Sequence, residues 1–155
     1  MTPLKKDSFI QINIVVKDIR KAAEAWAAVL GTEVPEIHET HLESFGQNKE
    51  YPYTYRGQEL PCDLLTAVIP MEHFVLELHQ PVTGPSSFQE FYEEHGNGVH
   101  HLGFEVGADR EKVLDGLAGL GMNVDRTVGV YPGSSWTIVD SEDILGVNLN
   151  IKPYR

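Results

Sequence analysis

The segment QINIVVKDIRKAAEAWAAVLG, residues 11–31, sets the architecture of this chain, because it recurs as HLGFEVGADREKVLDGLAGLG at residues 101–121. The two segments align without a gap at an offset of 90 residues, and most positions keep the polarity pattern of a strand, a helix and a closing glycine. The chain is therefore two copies of one unit, and a site where they meet would draw equivalent positions from both. The identical pairs are Val16/Val106, Arg20/Arg110, Ala28/Ala118, Leu30/Leu120 and Gly31/Gly121.

The first copy predicts a strand followed by a helix. Residues 9–16 alternate apolar and polar side chains, which is typical of a strand with one covered face. After Asp18 the apolar residues recur at spacings of three and four, and Gly31 is a suitable helix end. We expect this helix to cover the isoleucine face of the strand.

Each copy extends to a β-α-β-β-β module, so the sequence predicts one α+β domain over residues 1–155. Residues 42–61 are an irregular excursion of the kind that shapes a binding rim or is disordered. The predicted parts are module 1 at about 8–80 with further strands near 33–41, 62–69 and 73–79, a linker at 81–98 with a short helix near 88–94, and module 2 at about 99–152 with a helix at 109–120 and strands near 122–131, 134–139 and 146–151.

The closing strands also resemble each other, FVLELHQP at 74–81 and GVNLNIKP at 146–153, and we pair Glu77 with Asn150. With Gln11 and His101, these residues form four symmetry-related positions on the polar faces of their strands. Alternation leaves open whether those faces meet solvent or a shared concavity. Gly103 on the same face favours the concavity.

The composition limits the classes of partner. A formal net charge of −11 argues against nucleic acid or an anionic membrane surface, and it fits a cationic ligand or simple solubility. Cys62 is the single cysteine, so no disulfide is expected. No run of about 18 apolar residues is present, so we expect a soluble, cytoplasmic protein.

Three pieces, INIVVKDIRKAAEAWAAVLG, GNGVHHLGFEV and DSEDILGVNLN, resemble the vicinal oxygen chelate superfamily of glyoxalases, bleomycin-resistance proteins and dioxygenases. They look most like methylmalonyl-CoA epimerases and lactoylglutathione lyases, and the resemblance covers about residues 8–152. It implies a cupped mixed sheet with helices on its outer face, built around one divalent metal ion (Ni, Co, Mn or Zn). It also implies a small-molecule substrate and a homodimer.

Carried over by position, the resemblance implies the metal ligands Gln11, Glu77, His101 and Asn150. The family normally has glutamate where this chain has Asn150, and that glutamate commonly serves as ligand and base. An amide oxygen can coordinate a metal ion but cannot abstract a proton. The set therefore offers one carboxylate, one imidazole and two neutral amides, which is weak for zinc.

Other side chains are candidates for the missing base. Glu43 lies just after the second strand, Glu105 shares the face of His101, and His79 shares the face of Glu77; the alternative for each is a structural or solvent-facing role. His100 is expected on the opposite face from His101, as a hydrogen-bonded residue under the helix.

Aromatic residues suggest the walls of a pocket. Tyr55, Arg56, Tyr131 and Trp136 are the candidates for binding a substrate, with core packing as the alternative for Trp136. Two functions follow from the resemblance. One is an epimerase or lyase that works through an enolate; the other is a metal-free binding protein similar to bleomycin-resistance proteins.

Overall fold

The structure, a computed structural model, describes residues 3–42 and 52–154. Within them, no helix is both long and apolar enough to cross a membrane. Two 3₁₀ turns occur at Lys6–Ser8 and Gly107–Asp109. The helices are α1 Ile19–Leu30, α2 Ser87–His95, α3 Arg110–Gly119 and α4 Glu142–Leu145. The strands are β1 Phe9–Val15, β2 Ile37–His41, β3 Tyr53–Tyr55, β4 Asp63–Pro70, β5 Val75–Thr83, β6 Gly98–Glu105, β7 Asn123–Tyr131, β8 Ser134–Asp140 and β9 Asn148–Lys152.

All of these strands belong to one mixed sheet, in the order β2-β4-β5-β1-β6-β9-β8-β7-β3. The order is nearly symmetric about the central antiparallel pair β1–β6. On one side β1 pairs in parallel with β5, and on the other side β6 pairs in parallel with β9. The two copies of the repeat therefore lie side by side and share one continuous sheet.

Strand register confirms that Glu77 and Asn150 are equivalent positions. Asn13 pairs with Glu77, and Gly103, which lies 90 residues after Asn13, pairs with Asn150. A letter-by-letter match of segment 74–81 with segment 146–153 would instead place Leu149 opposite Glu77. The observed register determines which residue is equivalent to Glu77, because a shift of one residue would turn every side chain to the other face of the sheet.

The two long helices cover the outer face of the sheet, as expected from the apolar periodicity. Helix α1 begins after Asp18, whose side chain accepts a hydrogen bond from the backbone N–H of Lys21, and it ends at Gly31 with φ of 67°. Two separate outer cores result. They contain Val16, Ile19, Ala23, Ala67, Ile69, Leu76 and Leu78 under α1, and Val113, Leu114, Leu117, Met122, Val139, Leu149 and Ile151 under α3.

The polar face of the sheet curls around a cavity. Eight strands, all except β3, contribute residues to the lining of that single cavity. The curl also brings residues from opposite parts of the sheet together, since the hydroxyl oxygen of Tyr53 on β3 lies 3.6 Å from the sulfur of Cys62, just before β4. Of the two possibilities left open by alternation, the shared concavity is correct.

A third core lies inside the curl and depends on segments outside the repeated units. Strand β3, from the excursion, pairs with β7 at the edge of the second copy, with Tyr53 opposite Gly129. Helix α2, from the linker, closes the concave side. Its Phe88 and Phe91 pack in an inner core with Val15, Leu42, Tyr53, Cys62, Leu64 and Ile138.

An ionic network fastens α2 and the residues after β3 to the second copy. Arg126 on β7 is 1% exposed and lies within 4 Å of Glu90, Asp140 and Glu142. Arg56, which is more exposed than Arg126, forms ion pairs with Glu90 and Asp140 as well. Because a buried guanidinium is costly without partners, Arg126 ties Glu90 of α2 to Asp140 of β8 and Glu142 of α4.

Packing of Trp136 on Gly129 can be tested by substitution. A Cβ atom at residue 129 would lie 2.0 to 2.4 Å from the indole ring, so Gly129→Ala must displace that ring. We expect the free energy of unfolding, measured by urea denaturation, to fall by about 1–3 kcal/mol. The control is Gly119→Ala, in a helix with no atom within 4 Å of the new methyl group, which should be neutral or slightly stabilising. Equal effects of both substitutions would contradict the contact.

Candidate metal and substrate site

All four predicted metal ligands line one cavity of about 230 Å³ on the concave face of the sheet. Gln11 comes from β1, Glu77 from β5, His101 from β6 and Asn150 from β9, so the four central strands supply one residue each. The rest of the lining is mostly apolar. It consists of Thr40, Leu42, Leu64, Thr66, His79, Phe88, Tyr131, Trp136, Ile138 and Lys152.

Three of the four residues are in direct contact. The side-chain oxygen of Gln11 lies 3.1 Å from Nε2 of His101, and the amide nitrogen of Asn150 lies 3.4 Å from the same atom. Gly103 makes room for this arrangement, because a Cβ there would lie 2.8 Å from Cβ of Gln11 and 3.0 Å from its side-chain oxygen. This close approach of a backbone and a side chain occurs where the two copies pair.

A bulge in β6 lets His100 orient His101. Asn13 pairs with His101 and the next residue, Ile14, pairs with Val99, so His100 has no partner in the ladder. The rings of His100 and His101, which regular strand geometry would send to opposite faces, meet with their Nδ1 atoms 2.8 Å apart. The expectation that His100 lies on the opposite face, away from His101, is therefore wrong.

The partners of these rings define which nitrogen carries the proton. Nε2 of His100 lies 3.2 Å from the carbonyl oxygen of Ser87 in α2, so Nε2 is the donor. In the neutral ring Nδ1 of His100 must then accept, and Nδ1 of His101 must donate to it. The remaining nitrogen of His101, Nε2, is then unprotonated and carries its lone pair on the cavity side, where the Gln11 oxygen and the Asn150 NH₂ group are its neighbours.

Burial keeps this lone pair available. Both rings are 1% exposed or less, and burial lowers the pKa of His100 and of His101 well below the ordinary value of 6.5. Neighbouring positive charge acts in the same direction; Arg126 lowers the pKa of His100, and Lys152 contributes to lowering that of His101. His101 is therefore neutral at pH 7.

Glu77 is held by a second network, centred on Asn13. The amide nitrogen of the fully buried Asn13 lies 2.8 Å from a carboxylate oxygen of Glu77 and 2.7 Å from Nδ1 of His79. This nitrogen has two hydrogens and can donate to both. The carboxylate thus has a fixed position in the cavity wall.

Asn150 is presented differently from the other predicted ligands. Its side-chain oxygen accepts a hydrogen bond from the backbone N–H of Thr137 at 3.2 Å, and its NH₂ group is turned to His101. The oxygen is the atom needed for coordination, and one of its two lone pairs is taken by the Thr137 N–H. Coordination by Asn150 and by the other three residues stays a prediction.

The other candidate residues divide into two groups. Tyr131 and Trp136 line the cavity, as expected for substrate contacts. Tyr55 and Arg56 do not; the Tyr55 hydroxyl donates to Glu90, and Arg56 pairs with Glu90 and Asp140. Glu105 lines a separate depression at the end of β6, with Lys5 and Asp109 among its neighbours. Glu43 lies outside the described residues.

Sequence reasoning missed three parts of the site. Asn13 stands two residues after Gln11 on the same polar face, and that spacing was the available signal. Phe88 and the Ser87 carbonyl come from the linker helix, where nothing in the sequence pattern points to the cavity. Lys152 reaches the cavity wall with its ammonium group 5.7 Å from the Tyr131 ring centre.

Comparison with known proteins identifies the family. The family model described as Glyoxalase/Bleomycin resistance protein/Dioxygenase superfamily matches residues 10–138, and the chain belongs to this superfamily. The predicted resemblance and the α+β fold with its curled mixed sheet are confirmed. No curated protein sequence matches the chain.

Several solved structures share the fold. A hypothetical protein from Bacillus halodurans is 18% identical with a TM-score of 0.63, covering 93% of this chain and 91% of its own. Methylmalonyl-CoA epimerase from Mycobacterium tuberculosis is 18% identical with a TM-score of 0.61, covering 96% and 88%. A Streptomyces coelicolor methylmalonyl-CoA epimerase variant in complex with 2-nitronate-propionyl-CoA is 20% identical with a TM-score of 0.60, covering 97% and 94%.

The buried histidines predict how stability depends on pH. Burial lowers the pKa of His79, His100 and His101, so below pH 6.5 the unfolded chain binds protons that the native protein does not. The free energy of unfolding should therefore fall as the pH is lowered from 7 to 5. His41 acts with the opposite sign, since its hydrogen bond to Asp63 raises its pKa. Urea denaturation of the His41→Gln variant at several pH values isolates the effect, and a flat profile would contradict it.

Proposed function

We propose that this protein is a metal-dependent isomerase or lyase of the methylmalonyl-CoA epimerase and glyoxalase type, acting through an enolate on a small carbonyl or thioester substrate. One observation carries the proposal. The oxygen of Gln11 and the lone-pair nitrogen of His101 are 3.1 Å apart with no hydrogen to share. Two acceptor atoms at that distance repel each other, and the repulsion is relieved either by a cation held by both atoms or by a Gln11 amide turned to donate its N–H. The first arrangement is the one that the enzyme proposal requires.

The donor atoms suit a small divalent ion. Gln11 supplies an amide oxygen, His101 an imidazole nitrogen and Glu77 a carboxylate that lines the same cavity. Such an ion would act as a Lewis acid that stabilises negative charge on a substrate oxygen. Asn150 borders the same position, since its NH₂ group lies 3.4 Å from Nε2 of His101.

The residues of the cavity also set what can bind. The walls formed by Phe88, Trp136 and Ile138 exclude water from an apolar substrate body. Lys152, on the second copy, is the one cation among the described residues of the lining. We propose that these groups orient a small acyl compound with its carbonyl oxygen toward Gln11 and His101.

Proton abstraction needs a base, and the described lining contains one carboxylate, Glu77. Glu77 is assigned to the metal ion and also accepts a hydrogen bond from Asn13, so we assign the role of base to a further residue. Glu43 is the first candidate, because it follows Leu42, which lines the cavity. We do not assign this role to Glu105, because it lines a separate depression and not the cavity.

Metal analysis tests the proposal directly. Protein purified without chelator should contain close to one equivalent of Ni, Co, Mn or Zn by plasma mass spectrometry. His101→Ala should lose most of it, because the imidazole is the strongest donor in the set. The matched control is His73→Gln, an exposed histidine on the turn between β4 and β5, which should keep its metal. Absence of metal from the parent protein, even after soaking with each ion, would overturn the proposal.

A second substitution tests the position of residue 150. Asn150→Glu provides a carboxylate next to His101, and we expect metal affinity measured by chelator competition to rise at least tenfold. Asn150→Gln, of the same length but neutral, is the control and should not tighten binding. Unchanged affinity in the glutamate variant would mean that residue 150 does not border the metal position.

A metal-free binding protein on the same scaffold is the second candidate. Asn150 favours this function, because asparagine is neutral and its oxygen already accepts a hydrogen bond from the Thr137 backbone. Glu77 is then the one anionic donor among the described residues of the lining. In that case the Gln11 amide would be rotated to donate its N–H to His101. The same metal analysis separates the two functions.

A further inference from the structure

His79 lies at the centre of the cavity wall, next to Glu77 on β5. Its ring is 8% exposed, lines the cavity and packs against Phe88 at 4.6 Å between ring centres. The sequence makes His79 a candidate base. A base needs a lone pair facing the substrate, so the protonated nitrogen decides what His79 can do.

Asn13 determines that nitrogen. Its amide nitrogen sits between the carboxylate of Glu77 and Nδ1 of His79, at 2.8 and 2.7 Å. Turning the amide over would place an oxygen against the carboxylate, so the NH₂ group must face both. Nδ1 of His79 therefore accepts a hydrogen bond, and in the neutral ring the proton is on Nε2.

Two features hold the ring in this state. A rotation of the ring by half a turn would place a C–H group against Asn13 and leave a buried amide hydrogen without an acceptor, which is costly. The ring of Phe88 also packs against the His79 ring, with 4.6 Å between the ring centres, and restricts its rotation. Nε2 is at the far end of the ring from Asn13, and it makes no hydrogen bond to any residue of 3–42 or 52–154.

From this arrangement we infer that His79 is a hydrogen-bond donor to an oxyanion of the bound ligand, and not a base. The inference deepens the proposed function, on which it rests, by naming an enolate or carboxylate oxygen as the group that Nε2–H binds. A neutral donor that is already oriented stabilises such an oxygen without giving up its proton.

The two histidines of the cavity then have complementary roles. His101 offers a lone pair to a cation, because its Nδ1 donates to His100. His79 offers an N–H to an anion, because its Nδ1 accepts from Asn13. The ligand class that uses both has a charged oxygen close to a metal-coordinating oxygen, as in a carboxylate next to a carbonyl group.

The tautomer can be observed without any ligand. Long-range ¹H–¹⁵N NMR of the full-length, metal-free protein at pH 7 should show His79 protonated at Nε2 and unprotonated at Nδ1. Asn13→Ala should give a mixture of tautomers, because the acceptor role of Nδ1 is no longer imposed. A proton on Nδ1 in the parent protein would overturn the inference.

Binding of oxalate tests the donor role. Oxalate has two adjacent charged oxygens, and oxamide is its neutral analogue of similar shape. By calorimetry, His79→Leu should weaken oxalate binding about tenfold or more and oxamide binding by a clearly smaller factor, since a hydrogen bond to a charged group is worth more than one to a neutral group. His79→Gln, which retains an N–H donor, should recover most of the affinity.

The outcomes separate this inference from the proposed function. Metal content is measured in the same samples. If the parent protein contains no metal and His79→Leu still weakens oxalate binding, the proposed enzyme function is refuted and the donor role of His79 is supported. Equal oxalate binding by the parent protein and by His79→Leu would refute the donor, whatever the metal content. Melting temperatures show whether each variant is folded.

Discussion

The antiparallel pairing of β1 with β6 is the constraint on which the rest of the structure depends. It joins the two copies into one sheet and puts Gln11 beside Gly103 and Asn13 beside His101. Both polar faces therefore open on the same side, and the curl of the sheet encloses them. The missing side chain at Gly103 allows Gln11 to lie close to His101, so the pairing that joins the copies also assembles the site.

Two buried hydrogen-bond networks determine which atoms these side chains present to the cavity. One runs from the Ser87 carbonyl through His100 to His101, and the other from Asn13 to Glu77 and His79. The partners of His100, His101, Glu77 and His79 define which of their atoms donate and which accept, and a low-dielectric interior strengthens these hydrogen bonds. The Asn13 oxygen is a buried atom of this network without a partner among the described residues. The first network presents a lone pair to the cavity and the second presents an N–H and a carboxylate.

The linker helix α2 gives the site an asymmetry that the repeat lacks. It supplies Phe88 and the Ser87 carbonyl, and the ionic network around Arg126 anchors it to the second copy. The residue of the first copy that corresponds to His100 is Ile10, so only the second copy has two adjacent histidines at this position. The duplication explains where the site lies, and the segments outside the repeat explain why its two halves differ.

Periodicity and internal repetition were enough to predict the modules, both long helices, the faces of the strands and the four central positions. These features follow from local pattern, because apolar side chains must be covered and alternation assigns each residue to a face. Other features depended on contacts between distant segments. The bulge at His100, the engagement of the Asn150 oxygen by Thr137, and the pairing of Arg56 with Glu90 and Asp140 are of this kind. The sequence alone determined that Gln11, Glu77, His101 and Asn150 occupy equivalent positions on the polar faces of their strands. Only the tertiary structure decided which other side chains reach the cavity and which atom of each faces it, because contacts with segments far away in the chain place and orient those side chains.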